Sequence, residues 1–127
     1  MFGKFLKKAR RGFTLVEIMI VVLIIGILLA IAVPNFIRAR ESSRAKSCVA
    51  NLQQMNSAVE QWAMDNKKNS GATVAIATLV GSTGYIKSTP TCPSGGSYGT
   101  NLTVGSNPTC SIGTNGDADT YNDHILP

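Results

Sequence analysis

Ile18 to Val33 reads IMIVVLIIGILLAIAV, sixteen residues with only Gly26 outside the apolar set and no charge. Extended to Phe13 on one side and Ile37 on the other, the segment has 25 residues, about 37 Å as a helix at about 1.5 Å per residue. That length crosses a hydrocarbon core of about 30 Å with some tilt. A helix apolar on every side has to be buried in something. The rest of this 127-residue chain is too short and too polar to wrap it, which sets aside a soluble core helix.

Working outward from this span, Lys4, Lys7, Lys8, Arg10 and Arg11 precede it and supply 5 of the 12 basic residues before any acid appears. The positive-inside rule places this end in the cytoplasm and the bulk of the chain on the far side. Arg38, Arg40, Arg44 and Lys46, diluted by Glu41, oppose that orientation from the other flank. The first twelve residues are therefore needed for orientation and dispensable afterwards, which describes a leader. Two processing sites compete. An ordinary secretory signal would pair Lys4 to Arg11 with the apolar Ile18 to Leu29 and be cut at Ala30-Ile31-Ala32, releasing a soluble binding module. Against it stands Glu17, a carboxylate at the start of the apolar run, where insertion of an ionised group is costly.

The string Lys8-Ala9-Arg10-Arg11-Gly12-Phe13-Thr14-Leu15-Val16-Glu17, followed by the apolar run with Gly26 and Pro34, resembles the type III leader and N-terminal helix of type IV pilins and pseudopilins. The resemblance implies cleavage by a prepilin peptidase after Gly12, N-methylation of the new amine of Phe13, and a role in assembly for Glu17, the fifth mature residue. It also implies an inner-membrane assembly platform as a partner, and Gly26 and Pro34 as the places where the helix loosens when subunits are extracted into a filament. A physical reason exists for Glu17 as well. Cleavage creates an ammonium on Phe13, and in an array of such helices one chain's Glu17 can lie beside a neighbour's amine, so that each buried charge has a partner.

Pro34 removes one helical hydrogen bond and either ends or kinks the helix. Asn35 to Lys68 contain no Gly or Pro, and Ala45, Cys48, Leu52, Met55, Val59 and Trp62 recur at spacings of three and four, one apolar stripe on one face. Asn51, Gln54, Ser57, Gln61 and Asp65 take the polar side, and Lys67, Lys68 and Gly71 supply a cationic last turn and a stop. These features predict one helix from Phe13 to about Asn66, apolar all round in its first half and amphipathic in its second. The stripe packs on the chain's own C-terminal segment rather than forming a coiled-coil seam, for which it is too short.

Beyond residue 12 the chain carries 7 basic and 7 acidic residues, so the net +5 belongs to the leader and not to a folded basic face. DNA binding is accordingly disfavoured, and Arg38 to Lys46 read as a turn facing lipid headgroups. A lone His124 and the lack of a phosphate loop after a strand leave nothing that assembles an enzyme.

From Asn69 onward lie 9 of the 12 glycines and 4 of the 5 prolines. The composition predicts a small loop-rich head with Ala75 to Val80 as a short helix or strand. Ser97 to Leu102 and Asn107 to Ile112 read as two antiparallel strands joined by Thr103 to Ser106. The Cys92-Pro93-Ser94-Gly95-Gly96-Ser97-Tyr98 block is similar to the compact head of small pilins and pseudopilins. An exported head of about 59 residues has little core, so a covalent staple is expected. Three cysteines permit three single pairings. Cys92 with Cys110, both in the head, is the expected one, worth about 3 kcal/mol on the chain-entropy account, with Cys48 left as a small buried hydrophobe. A zinc site is disfavoured because the spacings are long and only His124 could complete it. Asp117, Asp119 and Asp123 are calcium candidates by composition; they compete with a plain solvated acidic turn and do not match an EF-hand.

The expected architecture is α+β and pilin-like: leader 1–12, membrane-spanning or filament-core half-helix 13–37, amphipathic half-helix 38–68, and a disulfide-stapled antiparallel head 69–127. The expected function is that of a structural subunit, a single-pass inner-membrane precursor with a cytoplasmic leader, embedded in lipid and then assembled with other copies into a fibre. That fibre is an extracellular pilus or, alternatively, a short periplasmic pseudopilus of type II secretion. No cofactor is expected apart from the calcium candidate.

Overall fold

The computed structural model of the chain describes residues 11–82, 84–114, 116 and 119–127. It divides into two compact units, Met1–Phe36 and Ile37–Pro127. The helix α1, Leu15–Asp65, contributes to both.

In the first unit α1 begins two residues later than Phe13 because Thr14 caps it. Glu17 N–H donates to Thr14 Oγ1 at 3.2 Å and Thr14 N–H donates to Glu17 Oε2 at 2.8 Å. This reciprocal pair is a capping box, satisfying two of the donors that a helix start leaves unpaired. The large apolar side chains from Leu15 to Val33 are all between 48% and 78% exposed. The helix continues through Pro34, which has no N–H for the Ala30 carbonyl; one residue on, Asn35 Nδ2 donates to the Ile31 carbonyl at 3.3 Å.

In the second unit the stripe is found where its spacing places it: Ala45, Cys48, Leu52, Met55 and Val59 are buried. Trp62 is only half-buried, and Ala58 and Ala63 take the deeper positions, because their small side chains admit the head close to the helix. The helix does not stop on a cationic turn leading to Gly71. Lys67 itself adopts φ 52°, with Lys68 N–H donating to the Ala63 carbonyl at 2.8 Å and Lys67 N–H to the Met64 carbonyl at 3.4 Å. That pattern is a Schellman stop with lysine in the left-handed position that glycine usually holds.

The head contains β1, Thr73–Ala75, the four-residue α2, Ile76–Leu79, and β2, Asn101–Thr103. The two strands pair antiparallel with Val74 opposite Leu102, and Ile76 N–H to Thr100 O, Val104 N–H to Ala72 O and Gly71 N–H to Val104 O extend the ladder at both ends. The sheet is small and antiparallel as expected, but its second strand is Asn101–Thr103 rather than Ser97 to Leu102, and its partner is the segment just after α1. Asn107 to Ile112 is not a strand: Pro108 lacks a donor, and only Ser111 N–H to Ser97 O and Ser97 N–H to Ser111 Oγ join the two segments, each at 2.9 Å. Gly84 packs so tightly on the Leu79 carbonyl that any Cβ there would clash with backbone.

The core is the α1 stripe set against Val74, Ile76, Leu79, Ile86, Tyr98, Leu102 and Val104. Polar residues of α1 tie down its rim. Asn51 Nδ2 donates to Thr91 O at 2.9 Å, Glu60 Oε1 accepts from Gly105 N–H at 3.1 Å, and Asp65 Oδ2 accepts from Tyr85 O–H at 2.6 Å. The Asp65 carboxylate beside it pushes the Tyr85 phenol above its usual range.

Candidate functional site

Two places in the chain carry chemistry that the fold does not consume. The first is the start of α1. Gly12 and Phe13 are exposed ahead of the cap, and Phe13 is 85% exposed, so the Gly12–Phe13 peptide bond is open to an enzyme. Glu17 is also exposed. Its Oε2 serves the Thr14 N–H, and a carboxylate has further lone pairs with which to accept from a cation. Beyond it Gly26 lies on the exposed apolar half-helix, with nothing within 4 Å of where a Cβ would stand. Residues 1–10 of the leader lie outside the described residues.

The basic segment after this half-helix is exposed at Arg38 and Arg40, and Arg44 pairs with Glu41 at 3.3 Å across one helical turn. Such a partly solvated pair adds little stability.

The second place lies in the head. Cys48, Cys92, Cys110 and His124 are all buried, and their ligand atoms lie within 4.8 Å of one another. No S–S bond joins the three cysteines in this structure, where the expected partners Cys92 and Cys110 lie in one cluster with Cys48. Cys48 comes in from the helix stripe and His124 from the C-terminal segment, so that four groups, not two, meet at one point. Cys92 Sγ is 3.4 Å from His124 Nδ1, and Tyr98 O–H donates to Cys48 Sγ at 3.4 Å. Tyr98 is in turn held by Asn51 Nδ2 at 3.1 Å, which makes Asn51 part of this cluster rather than of the solvated face. His124 is fixed through its backbone N–H on the Gly113 carbonyl at 2.9 Å.

The thiols differ in acidity. Burial dominates at Cys48 and pushes it up to about 12, with the Tyr98 hydroxyl pulling the other way. At Cys92 burial also acts upward, but hydrogen bonds from the backbone N–H groups of Ser94 and Gly96, and then from Cys48 and Cys110, outweigh it and leave the thiol below its ordinary value. Burial is also the main cause of the upward shift at Tyr98, followed by its bond to Cys48. Gly96 is required for close approach: a Cβ there would stand 2.5 Å from Cys110 Sγ.

Among the described residues this is the one group of three or more His, Cys, Asp or Glu close enough to share a metal ion. Of the calcium candidates, Asp119 and Asp123 are outside that group and Asp117 lies outside the described residues. Sequence reasoning weighed a metal site completed by His124 and disfavoured it on the long spacings, which the fold closes by bringing all four side chains together. The usable signal is the count itself, three cysteines and one histidine in a small exported chain.

Comparison with known proteins bears on the first place. A family model described as the prokaryotic N-terminal methylation motif matches residues 7–33, which contain Gly12, Phe13 and Glu17. A type II secretion system core protein G of Escherichia coli (strain K12) is 31% identical over 101 residues, 70% of each chain. The ComG operon protein 3 homolog of Bacillus licheniformis is 36% identical over 85 residues, 67% of this chain and 84% of the relative. The type IV major fimbrial protein FimA of Dichelobacter nodosus is 34% identical over 101 residues, 77% of this chain and 65% of the relative. No solved structure matches the chain. With the methylation motif across its leader junction, and relatives from secretion and fimbrial systems aligned over most of its length, the chain belongs to the type IV pilin and pseudopilin family.

Proposed function

We propose that the chain is a structural subunit of a pilus-like filament, inserted in the membrane as a precursor, cleaved after Gly12, N-methylated on Phe13 and then assembled with other copies. The observation that carries this reading is the half-helix from Ile18 to Val33, apolar on every side and at least 48% exposed at each large side chain. In the precursor, lipid covers it; in a fibre, the same helices of neighbouring copies cover it. Head-to-tail packing of this kind does not close on itself and so grows a filament. Glu17 sets the register by pairing with the Phe13 ammonium of a neighbour, and Gly26 and Pro34 are where the helix loosens during extraction.

The processing step is tested by intact-mass analysis of the protein from cells that contain a prepilin peptidase. The expected mass begins at Phe13 and carries one added methyl group. A mature chain beginning at Val33 would overturn the reading, since it would have lost the assembling helix to an ordinary signal peptidase.

The similarity to the secretion proteins named core protein G favours one variant of this reading, a short periplasmic pseudopilus. Shearing separates the two: recovery in the fibre fraction supports a surface pilus, and retention in the cell envelope supports the pseudopilus.

A further inference from the structure

The pilin reading leaves the buried cluster in the head unused. We infer that Cys48, Cys92, Cys110 and His124 form a structural zinc site, in which three thiolates and one imidazole nitrogen hold Zn²⁺ between α1, the Cys92–Tyr98 turn and the C-terminal segment.

The donor set is the first argument. Three cysteines and one histidine around one point are a composition that closed structural zinc sites use. At Zn–S of about 2.3 Å and Zn–N of about 2.0 Å, tetrahedral geometry sets the ligand atoms roughly 3.5 to 3.8 Å apart. The Cys92 Sγ to His124 Nδ1 separation of 3.4 Å already meets this, and all four ligand atoms lie within 4.8 Å of one another.

The surroundings are the second argument. A divalent ion with three thiolates and a neutral imidazole keeps one net negative charge, and donors face it. Tyr98 O–H points at Cys48 Sγ at 3.4 Å and is itself held by Asn51 Nδ2 at 3.1 Å. Such outer groups orient ligands and tune a metal site. The glycine at position 96 is what lets the turn close over the Cys110 sulfur.

The third argument concerns what the alternative leaves behind. A disulfide between any two of these cysteines ties up two sulfurs and seals the third thiol and His124 in the core beside it. A metal ion engages all four. Binding involves no redox change: each thiol passes its proton to solvent as its sulfur bonds to the ion. The ion then ties the helix to both loop segments of the head, the task expected of a staple in a head with so little core.

The test uses the full-length chain purified from membranes in mild detergent without chelator or reductant. Plasma mass spectrometry is expected to find about one zinc per chain, and alkylation followed by peptide mapping to find all three cysteines as thiols. His124→Ala is expected to lower zinc affinity by at least about tenfold, and His124→Cys to restore it with a four-sulfur site. Cobalt(II) exchanged into the protein is expected to give the intense visible bands and near-ultraviolet charge transfer of tetrahedral thiolate ligation, shifted in His124→Cys. These histidine variants keep the test decisive even where Cys48→Ser or Cys110→Ser fails to fold. Freshly purified protein with no zinc and a Cys92–Cys110 disulfide, or any other cysteine pair joined, would overturn the proposal, as would zinc binding unaffected by His124→Ala.

Discussion

Glu17 performs two tasks in this account, and two substitutions separate them. Within its own chain it closes the capping box with Thr14, Oε2 lying 2.8 Å from the Thr14 nitrogen; between chains it supplies the counter-charge to a neighbour's Phe13 ammonium. Thr14→Val removes the hydroxyl that caps the helix and keeps the charge. An N-cap threonine is worth about 1 kcal/mol, and its loss frays only the first turn of a 51-residue helix. Incorporation into fibres should fall by roughly fivefold. Glu17→Gln keeps an acceptor of the same reach, because glutamine also serves at this capping position, but it abolishes the charge. Leaving an ammonium unpaired in a packed helical array costs about 3 to 5 kcal/mol, or between two and four powers of ten in the assembly constant at about 1.4 kcal/mol per tenfold. The assay is competition: each variant is co-expressed with tagged wild type, and the ratio of the two is compared between membrane and fibre. Both variants should be cleaved normally at Gly12, since the carboxylate lies beyond the scissile bond. Glu17→Val should insert at least as well as wild type and fail to assemble as Glu17→Gln does. Fibres containing Glu17→Gln at the wild-type ratio, with Thr14→Val excluded, would show that the residue is a helix cap and not a counter-charge.

Other expected outcomes follow from single features. Gly12→Val should leave full-length precursor in the membrane, read by intact mass, because a branched side chain does not fit a glycine-selective subsite. Leu52→Ala removes a fully buried side chain from the centre of the stripe and should destabilise the head by about 2 to 5 kcal/mol in denaturant titration, while leader cleavage continues. Lys67→Gly relieves a lysine held at φ 52° and should stabilise the protein by about 1 kcal/mol in the same titration. Gly96→Ala places a methyl group 2.5 Å from Cys110 Sγ and should shift that sulfur, lowering bound zinc without affecting membrane insertion.

Local signals were legible in this sequence and long-range ones were not. The apolar run and the stripe from Ala45 to Val59 announce themselves because helical periodicity repeats over many turns. The Thr14 to Glu17 spacing is a capping-box signature as well as a charge in an apolar stretch, and a reading centred on the charge passes over the cap. The strand pair Thr73–Ala75 with Asn101–Thr103 is only three residues long on each side, too short for alternation to register, and its members are separated by loops that carry 5 of the 12 glycines. Lysine at the helix stop hides it, since the signal for that conformation is glycine or asparagine. The cluster is the extreme case. Its four members are separated by 44, 18 and 14 residues, so no spacing motif exists, and the site appears only when the helix, the turn and the tail are folded together.

The central claim, that the exposed apolar half-helix is the surface through which copies of this chain assemble, is tested most directly by a photo-crosslinking side chain at Val22, which is 62% exposed on that half-helix. Cells with the complete assembly machinery are irradiated and the chain is followed by immunoblot. The account predicts a ladder of covalently joined copies that disappears in Glu17→Gln cells, where processed subunits remain dispersed in lipid. Processed protein that yields only monomers and lipid adducts in assembly-competent cells would contradict it.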